Sequence, residues 1–565
     1  MHHTEQLTGA EFIARTLAGY GVTHAFVVPT IASRTLIAMD EHTGIERVVT
    51  HSEIAAAYMA DGYARAARRL AVCGAQNVGR ANLAAGLQDP FLGGSPVLAL
   101  TGGPLPSSRS RHFYQEVDAF PMFGAVTKSS VHLESVDRLS QVLHQAVRDA
   151  TTGQPGPVHI ELEGHAGETV EQPSAEFDLS LDDRFGAVPP FRPSADSSAV
   201  EAALSALNSA ERPIIVAGGG VRWSGAEGEL RRFAEHWSIP VATSLNAKEV
   251  MVADHPLNVG VVGLYSRKSA NRAVQSADLV VFVGSRTSSQ VTMNWQVPSR
   301  ETQIVHIDLD PAELGRHYLH TIPVLGDARM ALAALLAGSP EVVPDRSAWT
   351  SQVSAMVQEF YAEVSGEMTS DAVPMRPERL CRELSHLLPS DALLVADTGH
   401  AGMWTAGMID LRHEDQGYIR AAGSLGWGVP AAIGAQLAVP HRPVVLFTGD
   451  GGFWYHIAEI ETAVRWNVPV VIVVNDNASL NQEIRPFTRA YDGELRGRHS
   501  ELWHFEDVDL ARVAEAMGAK GIRVTKPAEL AAAMAEAVET HGPVVVDVTS
   551  DREALAPLGF VGPTA

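Results

Sequence analysis

The stretch GDGGFWYHIAEIETAVRWNVPVVIVVNDN, residues 449–477, decides the reading of this chain. It follows the apolar run PVVLFTGD (443–450), which reads as a strand buried on both faces of a parallel sheet. Gly449, Gly451 and Gly452 let backbone N–H groups come close to a phosphate at the start of the next helix. That helix carries Ile457, Ile460 and Val464 on one face, stops at Asn467-Val-Pro, and gives way to the strand VVIVV (470–474). Asp450 and Asn477, 27 positions apart, therefore fall at the carboxyl ends of two parallel strands, where open α/β sheets bind ligands. A carboxylate, an amide oxygen and nearby phosphates form an all-oxygen set that suits Mg²⁺.

The same alternation extends in both directions. At 565 residues the chain exceeds one core and is expected to divide into about three domains. The pattern predicts an α/β protein of three doubly wound parallel-sheet domains. The first covers 1–170, followed by a linker rich in Pro, Asp and Ser at 171–198. A second unit at 199–340 holds the runs PIIVAGGG, LVVFVGS and QIVHIDLD, and a second linker spans 341–376. The third unit occupies 377–550, with a tail at 551–565. A formal net charge of −23 speaks against nucleic acid or an anionic membrane as partner. The two cysteines, Cys73 and Cys381, have no metal or redox spacing. No basic leader or long apolar run stands at the N-terminus, so a cytoplasmic location is expected.

VVTHSEIAAAYMADGYARA (48–66) sets Glu53 at the start of a helix after a strand, where an isolated glutamate is ordinarily a surface charge favoured by the helix dipole. Together with AQNVGRANLAAGLQDPFLGGSPVLALTGG (75–103), FYQEVD (113–118), DTGHAGMW (397–404), AAGSLGWGVPAAIGA (421–435) and the GDG…N stretch, it resembles the acetolactate synthase-like thiamine diphosphate enzymes, and among them the 2-hydroxyacyl-CoA lyases. Gln76, Asn77 and Val78 depart from the Ser-Gly-Pro frequent in that family. The resemblance implies a pyrimidine-binding first domain, a central Rossmann-like domain and a diphosphate-binding third domain. It implies that Glu53 meets the cofactor's aminopyrimidine nitrogen, which calls for a carboxyl group of raised pKa. Mg²⁺ would be held by Asp450, Asn477 and the backbone carbonyl of Ser479. Gly399 and His400, with Gly449, Gly451 and Gly452, would meet the diphosphate, and Leu425 would prop the cofactor into its bent form. Because Glu53 and Asp450 meet across subunits in that family, a homodimer at least, with a homotetramer favoured, is expected.

IIVAGGGVRWSGA (214–226) clusters glycines after a strand without forming GxGxxG. In HIDLDPAELG (306–315) an acidic residue stands where relatives meet a ribose. The Met-His pair of flavin-holding acetolactate synthases is replaced within VVGLYSRKS (261–269). No nucleotide, ADP or part of coenzyme A, and least of all FAD, are the occupants left open. Arg286, after a central strand, could meet an anion there or on the substrate.

For the reaction, Arg111-His112 stands where pyruvate decarboxylases carry a His-His pair, and the segment after Asn477, NDNASLNQEIRPF, lacks the tryptophan of acetolactate synthases. Glu483 begins a short helix expected to face the reacting carbon, which makes it the candidate for proton transfer, with Glu494 a weaker one. The resemblance implies that Gln115 lies near the reacting centre, and Asn77, Val117 and Gln482 beside the substrate. A base there suits reversible cleavage of 2-hydroxyacyl-CoA to formyl-CoA and a carbonyl compound. The alternatives are an acetolactate synthase-like carboligase or 2-oxo acid decarboxylase and, from another class, a non-catalytic regulatory subunit.

Overall fold

The computed structural model describes residues 4–557 and Gly559. Each of three regions builds a six-stranded sheet in which every pairing is parallel. In the first, the strands lie in the order Glu46–Val49, His24–Val27, Ala71–Ala75, Val97–Gly103, Val158–Glu163, Ser129–Leu133. In the third they run Gly417–Arg420, Leu393–Ala396, Val444–Gly449, Val471–Asp476, Val544–Thr549, Lys520–Val524. Numbered within its own domain, each sheet reads 2-1-3-4-6-5, so the two share one topology. The central sheet, from Asn258–Val261 through Pro213–Ala217 to Thr321–Leu325, reads 3-2-1-4-5-6, the order of dinucleotide-binding folds.

Strands with helices on both faces must be apolar throughout, and Val471–Asp476 is buried along its whole length. The helix expected after Asp450 is broken in two, Asp450–Tyr455 and Glu459–Arg465, because His456 leaves helical geometry at φ −132°, ψ 33°. The segment 341–376 is not an irregular linker. It holds the 22-residue helix Ser347–Met368, whose Trp349, Val353 and Met356 enter the central core while Phe360 and Met368 enter that of the third domain. Within 171–198, the strand Ser174–Asp178 pairs antiparallel with Thr4–Thr8.

The first and third domains share a core across one helix crossing. Helix Glu53–Ala67 meets helix Gly428–Ala438 through facing glycines. A Cβ at Gly62 would lie 2.0 Å from the carbonyl of Ala431, and one at Gly434 would lie 2.0 Å from that of Met59. Backbones this close are possible only where both partners lack a side chain. Beside the crossing, the indole of Trp427 donates to Asp61 (2.9 Å), and Asp89 accepts from the main-chain N–H groups of Ala422 (2.7 Å) and Ser424 (3.0 Å). The start of the helix that bears Glu53 is thereby fixed relative to the loop that bears Leu425.

Candidate active site

At the carboxyl ends of Leu393–Ala396, Val444–Gly449 and Val471–Asp476 opens a cleft of about 280 Å³. Gly399, His400, Leu425, Gly449, Asp450, Gly451, Gly452, Asn477, Ser479, Gln482 and Glu483 all line it, so residues far apart in the chain converge as the motifs implied. The strand order reverses between the first two of these strands, which is where such sheets take ligands.

Asp450 opens its helix almost fully buried, and its Oδ2 accepts the Ser479 N–H at 2.9 Å. Burial and the neighbouring charge of Asp476 push its carboxyl up to about 7. Asn477 Oδ1 and Ser479 Oγ are buried with no hydrogen-bond partner. Unpaired buried oxygens beside a carboxylate are costly unless something electropositive completes them. Among the described residues no three His, Cys, Asp or Glu side chains could hold a metal together. The set therefore fits a hard cation that also takes oxygens from a bound phosphate and water. The loop is held from outside, since Arg552 Nε donates to the Asn477 carbonyl (2.9 Å) and Ala478 adopts φ +48°.

Sequence reasoning missed Asp397, Tyr265 and Asn481. Asp397 accepts from the N–H groups of Thr398 (2.7 Å), Gly426 (3.1 Å) and Gly428 (3.1 Å), and so ties the loop bearing Leu425 to the cleft. Its burial raises its carboxyl to about 6. An aspartate directly after a strand was the available signal. Tyr265 comes from the central domain, where nothing local marks it. Asn481 Oδ1 lies 2.6 Å from His400 Nδ1. Gly399 sits at φ +66°, so its conformation favours glycine, and a Cβ there would fall 2.8 Å from the mobile end of the Gln482 side chain. Glu494, the weaker candidate, is exposed and does not line the cleft.

Glu53 is the first residue of its helix, behind the N-cap Ser52, whose hydroxyl accepts the Ala55 N–H (3.1 Å). Asn82 donates to Glu53 Oε2 (3.1 Å), and Gly79 leaves room for the carboxylate, since a Cβ there would lie 2.3 Å from Oε1. The carboxylate is half-buried and does not line the Asp450 cleft of its own chain. Asn77, Gln115 and Val117 stay with it on the first domain. The Asn77 amide is fully buried with neither polar atom partnered, and Gln115 Oε1 is also buried and unpaired. Arg80 donates to the Val117 carbonyl and pairs with Glu161, while the Val117 side chain remains exposed. The chain thus carries two separate groups of candidate residues, one around Asp450 and one around Glu53.

A second cavity, of about 360 Å³, opens where the central sheet reverses, between Gly219–Gly220 and Gly284. Arg286 lines it and donates to Gln154 Oε1 of the first domain (2.5 Å). Asp308 and Asp327 lie in the same wall, Asp308 pushed up to about 6 by burial. Tyr265 borders both this cavity and the Asp450 cleft.

Three family descriptions match along the chain: "Thiamine pyrophosphate enzyme, N-terminal TPP binding domain" over 7–122, "central domain" over 200–335, and "C-terminal TPP binding domain" over 397–548. The chain belongs to the thiamine pyrophosphate enzyme family. A probable acetolactate synthase large subunit of Methanocaldococcus jannaschii is 32% identical over 98% of this chain and 93% of its own length. Glyoxylate carboligase of Escherichia coli O157:H7 is 31% identical over 94% and 91%. The acetolactate synthase large subunit of Corynebacterium glutamicum is 30% identical over 97% and 88%. The resemblance to 2-hydroxyacyl-CoA lyases finds no counterpart among these relatives. Among the described residues no helix is long and apolar enough to cross a membrane.

Proposed function

We propose that the protein is a thiamine diphosphate- and Mg²⁺-dependent carboligase that joins a unit derived from a 2-oxo acid to a second carbonyl compound. The observation that carries the cofactor assignment is the buried oxygen set of Asp450, Asn477 and Ser479 at the sheet reversal. The choice of carboligation follows the relatives named acetolactate synthase and glyoxylate carboligase, which this chain matches over nearly all of its length. This displaces the 2-hydroxyacyl-CoA lyase expectation in favour of its alternative. The presence of Glu53, Asp450 and Asn477 together argues against a non-catalytic subunit.

Bound thiamine diphosphate supplies the electron sink beside a carbonyl. Asp450, Asn477 and Ser479 hold the cation, and Gly399, Gly449, Gly451 and Gly452 allow the diphosphate close to the main chain. Glu53 would hold a proton at the aminopyrimidine, and Leu425 would pack against the cofactor. Glu483, with Gln482 beside it, moves a proton at the substrate, and Gln115, Asn77 and Val117 close the pocket from the Glu53 side. Because the groups around Asp450 and Glu53 do not meet within one chain, a second copy completes each, in a dimer or a dimer of dimers. The central cavity suits ADP or part of coenzyme A, with Arg286 toward the anionic portion, and FAD is disfavoured.

The test is product analysis with Mg²⁺ and thiamine diphosphate present, supplying pyruvate, glyoxylate and short 2-hydroxyacyl-CoA thioesters in turn. A new carbon–carbon bond formed from a 2-oxo acid is expected. Turnover of the thioesters alone would restore the lyase reading.

A further inference from the structure

The amide of Asn481 is oriented without ambiguity. Its Nδ2 donates to the main-chain carbonyls of Arg552 and Ala554, each at 3.0 Å. Carbonyl oxygens only accept, so the nitrogen must face them, and the atom 2.6 Å from His400 Nδ1 is Oδ1. Oδ1 also only accepts, so His400 Nδ1 carries a proton. In the neutral ring that leaves Nε2 as a bare lone pair, and among the described residues no protein group bonds to it. Yet His400 begins helix His400–Met408 and lines the cleft assigned above to a diphosphate. A lone pair and a phosphate oxygen repel one another, and only a proton on Nε2 turns their approach into a charge-assisted hydrogen bond.

We propose that His400 engages the cofactor's diphosphate as an imidazolium, taking one proton from solvent onto Nε2 as the diphosphate enters, with Asn481 and tail residues 551–557 fixing the ring. This rests on the thiamine diphosphate reading. Without ligand the ring is neutral at ordinary pH, because burial, reinforced by the positive charge of Arg485 and opposed by the Asn481 bond, lowers it to about 4. The other charged groups around the cleft are Asp397, Asp450 and Glu483 on its walls and Arg552 in the tail. A diphosphate adds negative charge at Nε2 and favours the protonated form. The proton comes from buffer and stays on nitrogen, and no covalent bond to the ligand forms. Asn481 is a positioning residue: its amide dictates which nitrogen is free.

The experiment is calorimetric titration of the Mg²⁺-supplemented full-length protein with thiamine diphosphate, at about pH 7.5, in buffers of differing ionisation enthalpy. The slope of observed heat against buffer enthalpy counts the protons taken up. Deprotonation on cation binding at Asp450 contributes equally to wild type and variants, so the difference between proteins isolates His400. Wild type should take up about one proton more per site than His400→Gln, whose amide donates without protonation. Asn481→Ala removes the acceptor at Nδ1, lets the neutral ring carry its single proton on Nε2, and should lose most of the uptake while still binding. Equal proton counts in wild type and His400→Gln would overturn the proposal. Should His400→Gln fail to bind, wild-type uptake retained in Asn481→Ala would overturn it instead. Absence of any Mg²⁺-dependent binding by wild type would remove the cofactor reading and this proposal with it, an outcome distinct from binding with equal counts.

Discussion

Gly62→Ala should separate the two halves of the site from a distance. The new methyl would sit 2.0 Å from the carbonyl oxygen of Ala431, against an ordinary contact of about 3.4 Å, so the helices must part by more than about 1 Å. Neither side can yield by a rotamer change, because the obstacle is main chain on helix Gly428–Ala438. Forced overpacking of this kind costs about 1–3 kcal/mol and occasionally more, and a rigid backbone contact belongs at the upper end. At about 2–4 °C per kcal/mol for a sizeable domain, the melting temperature should fall by about 6–12 °C. The Trp427–Asp61 bond, which bridges the same crossing, is strained as well. Glu53 lies on the same helix nine residues earlier, about 13 Å along its axis, so its placement should suffer and turnover should fall with stability. Gly366→Ala is the control: this helical glycine is exposed, a Cβ there meets nothing within 4 Å, and the change should be neutral or stabilising by up to about 1 kcal/mol. Differential scanning calorimetry of both variants decides the matter. A Gly62→Ala melting temperature equal to that of Gly366→Ala would refute the close-crossing account.

Glu53→Gln should lower turnover by about 10²-fold or more with an unchanged melting curve, since it removes only the proton held at the cofactor; turnover within about threefold of wild type would cancel that role. Asp450→Ala should abolish retention of thiamine diphosphate through gel filtration with Mg²⁺, because Asn477 Oδ1 and the Ser479 carbonyl alone cannot hold the cation; undiminished retention would move the metal elsewhere. Glu483→Ala should slow carboligation by about 10²–10⁴-fold, less where water substitutes, with cofactor affinity intact in the same assay; equal loss of affinity would make Glu483 a structural residue. The purified protein should show no flavin absorbance, and a band near one flavin per chain would assign FAD to the central cavity.

Much of the site was legible because its chemistry is local in sequence. The glycines at 449, 451 and 452, Asp450 and Asn477 are bound to one strand–helix–strand unit, so their spacing alone carried them to one cleft. The three parallel sheets followed from apolar runs separated by helical periods. By contrast, the helix Ser347–Met368 reads as a linker in the sequence because its apolar residues divide between two cores, which blurs a single amphipathic stripe. The break at His456 leaves no mark in the sequence, since periodicity continues across it.

What only the tertiary structure decided are the relations between distant segments. The sequence shows Gly62 and Gly434 as two ordinary helix glycines, and their mutual contact exists only once two domains share a core. His400 could be named as a phosphate contact from its neighbours in the chain, but its tautomer depends on Asn481, and the orientation of Asn481 depends on carbonyls of Arg552 and Ala554 more than 70 positions further on. Tyr265 reaches the cleft from a third domain. A local pattern fixes which groups a turn can present. Which proton a ring carries, and which backbone it meets, is set by partners that no local pattern contains.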